Sequence, residues 1–217
     1  MITVAEIIGR VNTQLQDTLM VRWPLAELCD YFNDAVRAVI LARPDAGVSA
    51  ETLECVPGSR QTLPAGVLRL IDVIRLTEGN ALLPVPRDVL DHDYPAWHNM
   101  TGIPERYVYS EATPRIFYLF PAPADRVSID AVVCRIPGTI TINSLEDKTE
   151  IRMDEAWVNP LVDWILYRAF SKDMAGGADP AQAMQHYQAF VDQLGIKQNT
   201  DRFMAQMKQS QYDGGTA

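Results

Sequence analysis

The chain has 217 residues, 47% of them hydrophobic and 22% charged, with a formal net charge of −9 at pH 7. That length and apolar content suffice for a real core in one compact domain, or in one domain carrying a sizeable insertion. An acidic balance argues against gripping phosphate backbones through a basic patch. Cys29, Cys55 and Cys134 are odd in number and widely spaced, which excludes a disulfide framework or a zinc site and leaves them as small apolar fillers in a reduced compartment. The start, MITVAEIIGRVNTQL, lacks the parts of a signal peptide, and no stretch approaches the roughly 18 apolar residues of a membrane span. The expectation is a protein made in a cytoplasm and kept off the membrane.

TVAEIIGRVNTQLQD opens with Thr3 as N-cap and Glu6 three residues on, a capping box, followed by Val4, Ile7, Ile8, Val11 and Leu15 at helical spacing. WPLAELCDYFNDAVRAVILARP predicts a second helix, with Pro24 in its first turn and a stop at Arg43-Pro44. Near residue 50 the period changes. ETLECVPGSRQTLP reads as two short strands around a Pro57-Gly58 turn. VLRLIDVIRLTEGNALLPV reads as a longer strand, a Gly-Asn turn and a return, with apolar residues dense enough to demand a bulge or burial on both sides. RYVYSEATPRIFYLF supplies further β-formers, and in RVSIDAVVCRI the residues Val127, Ile129, Ala131 and Val133 alternate with polar neighbours. Prolines throughout this half suit short edge strands and loops.

Helix returns near residue 154, where DEAWVNPLVDWILYRAFSKDM carries an apolar face that includes Trp164 and Phe170, broad enough for burial on two sides. Pro160 must kink this helix or mark its true first turn. Asp179-Pro180 with Gln182 signals another helix start, after which Met184, Tyr187, Phe190, Val191 and Leu194 run to Gly195. Residues 196–217 are polar, with Phe203, Met204, Met207 and Tyr212 as their large apolar groups. The expected fold is α+β. A helical bundle of two N-terminal and two C-terminal helices (1–44 and 152–195) carries a β-rich insertion (45–151) and a C-terminal extended arm (196–217).

RDVLDHDYPAWHNMTGIP, residues 87–104, is the stretch that most resembles a reactive site. It holds His92 and His98 among Asp88, Asp91 and Asp93. The histidines are six apart, which matches neither a helical face nor a strand face, and no metal motif is present. The expectation is a short helical turn anchored by Val89, Leu90, Tyr94 and Trp97, whose aspartates face water and cap amides. There is no nucleophile elbow, dinucleotide fingerprint or Walker loop, so no catalytic residue, cofactor or metal is assigned. Phe203, Met204 and Met207, at i, i+1 and i+4, together with Tyr212, are the candidate protein interface: too little to fold alone, enough to be captured in a partner groove.

YFNDAVRAVILARPDA, PGSRQTLPAGVLRLIDV, RDVLD…YPAWH…GIPERYVY…FYLFPAP and DWILYRAFSKD…HYQAFVDQLG resemble, in that order, the phage head-to-tail adaptor proteins. These are relatives of the tail tubular protein A of short-tailed phages. The likeness spans about residues 20–196. It implies a non-enzymatic virion protein of the neck, made in the bacterial host cytoplasm and assembled as a homo-oligomeric ring, usually of twelve copies. Such a ring docks on the portal protein, presents a platform to the tail nozzle or tube protein, and lets DNA pass without specific binding. Two alternatives stay open at this level: another tail or neck component, such as a tail-completion protein, and a soluble metal-dependent enzyme built on Asp91, His92 and His98.

Overall fold

The computed structural model describes residues 2–143, 149–151, 153–172 and 180–195. Four helices come together in one unit, formed by the described residues of 1–46 and 139–217, and a β-rich unit spans Gly47–Gly138. The fold is α+β, with two N-terminal and two C-terminal helices packing together and two small sheets inserted between them in sequence.

Helix α1, Val4–Leu15, starts on the expected capping box: Glu6 N–H donates to the Thr3 hydroxyl at 3.2 Å, and Thr3 N–H donates to the Glu6 carboxylate at 2.7 Å. Its apolar stripe of Val4, Ile7, Ile8, Val11 and Leu15 is buried. Helix α2, Leu25–Ala42, begins directly after Pro24 and ends where Pro44 forbids a further turn. A one-turn 3-10 segment, Glu155–Trp157, leads into α4, Val158–Lys172, with Pro160 in its first turn and therefore without a kink. Helix α5 spans residues 180–195. Both α1 and α2 pack on α4.

Three side chains from the N-terminal half seal this unit by bonding backbone in the C-terminal half. Trp23, 4% exposed, donates its indole N–H to the Ala169 carbonyl at 3.1 Å. Asn33 donates its side-chain N–H to the Ile140 carbonyl and accepts the Ile140 N–H, both at 2.8 Å. Arg43 forks onto Asp45 at 2.9 Å, donates to the Leu194 carbonyl at 3.1 Å and lies over the Trp157 ring. The N-terminus joins in through an antiparallel bridge, Thr3 to Glu150, with Val4 N–H donating to the Thr149 carbonyl at 3.0 Å.

The inserted unit is two sheets face to face. One has strand order β1 (Val48–Cys55), β7 (Val127–Arg135), β3 (Val67–Leu76); the other runs β2 (Arg60–Thr62), β6 (Ile116–Phe120), β5 (Arg106–Tyr109), β4 (Leu83–Pro84). Leu53, Leu70, Val73, Ile129 and Ala131 meet Tyr107, Phe117 and Leu119 across the interior. β7 keeps its alternation, with Ile129, Ala131 and Val133 inward. β3 pairs with it through three register shifts, the bulges that its dense apolar run requires.

The Pro57-Gly58 turn exists, but its flanking strands do not pair with each other: β1 joins β7 and β2 joins β6. Buried Gln61 fixes this crossover by donating to the Val56 and Gly58 carbonyls at 2.8 and 2.7 Å and accepting from Val56 N–H at 2.9 Å. Gly58 sits at φ 103°, open only to glycine without strain. The return after Gly79-Asn80 is likewise brief, a single bridge from Arg75 to Ala81, before β4 leaves to run parallel to β5.

Trp164 and Phe170 are not core residues; both are only half-buried. They lie on the flanks of α4, Trp164 against Phe190 of α5 and Phe170 between Trp23 and His186. The fully buried positions of α4 are Leu161, Ile165, Leu166 and Ala169. Leu166→Ala should therefore cost about 2–5 kcal/mol, and Trp164→Ala and Phe170→Ala about 1–2 kcal/mol. Thermal unfolding should give the lowest midpoint for Leu166→Ala.

Candidate interaction surfaces

The 87–104 stretch forms α3, Arg87–Asp93, and a 3-10 turn, Trp97–Asn99. Leu90 and Trp97, each 1% exposed, cover the outer face of the four-stranded sheet with Val85, Val108 and Phe120. Val89 and Tyr94, expected as anchors, are instead 40% and 46% exposed, because α3 is too short to bury more than one face. Asp91 accepts the Trp97 indole N–H at 2.8 Å and pairs with Arg87 one turn back. His98 stacks on Trp97 at 3.7 Å, and its Nδ1 lies 2.9 Å from the buried Ser59 hydroxyl. His92 points outward and shares no donor set with His98. No three His, Cys, Asp or Glu side chains converge among the described residues in a way that would hold a metal ion.

The stretch is thus a lid over a sheet, and its carboxylate does structural work. The Trp97 indole, as the main cause, holds the Asp91 carboxyl below its ordinary range. The stabilisation is present above the unfolded-state pKa and is lost as pH falls through the lower folded-state value. The third histidine, His186, sits 2.8 Å from Asp163, whose other oxygen accepts from Gln193 at 2.6 Å, so that α4 carries α5 through one carboxylate.

Large apolar side chains exposed on well-fixed backbone are the other notable surfaces. Between α1 and α2, Leu19 and Val21 are 84% and 78% exposed. Their loop is not slack: the Asp17 carboxylate accepts N–H groups from Val21, Arg22 and Trp23 at 2.8–3.0 Å. Those amides, that of Trp23 first, lower the Asp17 pKa. Gln16 and Met20 take left-handed φ of 55° and 52°, at a cost of about 1–3 kcal/mol each. On α5, Met184, Tyr187 and Val191 lie outside the buried stripe expected of them, at 59%, 37% and 42% exposure, while Phe190 and Leu194 are buried. The spacing 184, 187, 191 is a second stripe about 70° round the helix from 183, 190, 194; the latter is buried, while the former stays largely exposed, with Tyr187 meeting Tyr167 along one edge. In the inserted unit, Leu83, Met100 and Ile103 are exposed along β4 and the loop entering β5. Leu19 and Val21 belong to no helical or strand period, so the sequence pattern carries no signal for this surface. Phe203, Met204, Met207 and Tyr212, together with the arm that carries them, lie outside the described residues.

His92→Ala should leave the unfolding free energy within about 0.5 kcal/mol of the parent. Asp91→Ala should unfold earlier at neutral pH, and the gap should close as pH drops below the ordinary carboxylate range. Paired thermal melts between pH 7 and 2.5 check both.

No curated protein matches this sequence. A family model described as SU10 adaptor protein matches residues 2–210, which takes in the first helix, beyond the 20–196 span of the resemblance noted from the motifs. The match covers all five helices described above, both sheets and most of the arm. The chain belongs to the SU10 adaptor protein family: it is a phage head-to-tail adaptor, a structural, non-enzymatic virion protein.

Proposed function

We propose that this adaptor works as a homo-oligomeric ring of twelve copies between the portal protein and the tail nozzle or tube protein, lining the channel through which DNA leaves. The observation that carries the reading is the family match across residues 2–210. The surfaces agree with it: each unit offers its own exposed apolar groups, Leu19, Val21 and the α5 stripe on one, Leu83, Met100 and Ile103 on the other. A protein joining two neighbours and its own copies needs several such surfaces. A net charge of −9 favours free passage of DNA, since carboxylates on a channel wall repel phosphates. No helix among the described residues is long and apolar enough to cross a membrane.

The arm, residues 196–217, supplies the contact with the portal in this reading. Phe203, Met204 and Met207 present one turn of apolar surface, and a groove on the portal would capture it as a helix, with Tyr212 at its end. Two measurements test the proposal. Imaging of the purified chain with and without portal rings should show twelvefold rings seated under the portal; another copy number or position overturns it. A chain ending at residue 196 should keep its thermal midpoint yet dock at least tenfold more weakly, a loss of about 1.4 kcal/mol or more. Docking at parental affinity removes the arm from the contact.

A further inference from the structure

Two features of the helical unit are exposed, apolar and rigid. The Leu19–Val21 tip is held by the three amides bonded to Asp17 and by Trp23 beneath it. The α5 stripe is equally fixed, since Phe190 packs on Trp164, Tyr187 on Tyr167, and His186 and Gln193 on Asp163. Preorganised apolar groups of this kind lose little entropy when a partner covers them.

Charge selects the partner. Over residues 180–195 the sole Asp, Glu, Lys or Arg is Asp192, in a chain that is 22% charged and carries −9. The other polar groups there are His186 and four glutamines, Gln182, Gln185, Gln188 and Gln193. Two copies of so acidic a chain repel wherever carboxylates face each other, so they meet best where carboxylates are sparse. The tip is likewise poor in free carboxylate: Asp17, its one acid, is taken up by three backbone amides, and Arg22, which follows Val21, lies 5.0 Å from the Trp23 ring. Two exposed apolar patches with few free carboxylates are where copies of this chain meet with least repulsion.

We propose that the Leu19–Val21 tip of one copy seats on the Met184–Tyr187–Val191 stripe of a second copy. This rests on the ring assembly put forward above and names the contact that builds it. Tip and stripe are different patches, so each copy can give its tip to one neighbour and its stripe to the other. Such a head-to-tail contact closes into a ring when its rotation fits.

The three native cysteines are buried, so a thiol introduced at either patch reports alone. Leu19→Cys and Val191→Cys chains, prepared separately, are mixed, assembled on portal rings of the same phage and treated with mild oxidant. The mixture should yield a disulfide-linked dimer at least tenfold more abundantly than either chain alone. Leu19→Asp, a change at an exposed position, should leave the melt unchanged and raise the concentration needed for assembly at least tenfold. Rings of normal mass without excess linkage in the mixture overturn the tip-to-stripe contact and leave the ring standing. Absence of rings from the unmodified chain on portal overturns both.

Discussion

The helical unit depends on closing the chain across the whole inserted β-unit, and the Asn33–Ile140 pair is where that closure is made. A side-chain amide on α2, 7% exposed, gives and takes a hydrogen bond with the same backbone residue, as a strand partner would. The pairing suits only Asn: aspartate lacks the donor, and glutamine reaches too far. It fixes the returning chain at the flank of α2 before α4 begins. Ion pairs at the surface would contribute far less to such a closure than this low-exposure, doubly satisfied bond.

Around that point the same device recurs. Trp23 and Arg43 also reach from the N-terminal half to carbonyls of the C-terminal half, at Ala169 and Leu194. Each is planar and rigid relative to its size, and each carries apolar contact with it, Trp23 against Phe170 and Arg43 over Trp157. The two N-terminal helices alone would leave Leu28, Phe32, Val36 and Val39 facing water. Helices of this length are marginal without such packing, so the unit forms only when the C-terminal helices arrive.

Much of this was legible in the sequence, for local reasons. The Thr3–Glu6 box, the Pro44 stop and the alternation in β7 are properties of short windows, and each appears as read; of the two roles open to Pro160, a kink or a first turn, the fold takes the first turn. Partner choice was not legible. Pro57-Gly58 specifies a turn, but which strands flank it and which sheets they join depends on Gln61 and on distant β6 and β7. On α5 the apolar periodicity was visible, yet sequence alone cannot say which of two adjacent stripes a neighbour will cover. Asp91 read as a turn former among aspartates; its bond to the Trp97 indole depends on the fold of the 94–97 corner. Function was legible only through likeness of motifs, because the histidines and aspartates of 87–104 match no motif and converge on no three-ligand cluster.

The register of the inserted unit has an evolutionary meaning. Val48 pairs with Cys134, so the first residue of β1 and the penultimate residue of β7 are strand neighbours. Paired strands lie about 5 Å apart. To the helices, everything from Gly47 to Gly138 is therefore equivalent in span to a hairpin loop: it leaves and re-enters through adjacent points. Such a module can be lengthened, exchanged for another fold or trimmed to a short turn with little geometric demand on its host. A chain built this way can keep its helical unit intact while the inserted module changes.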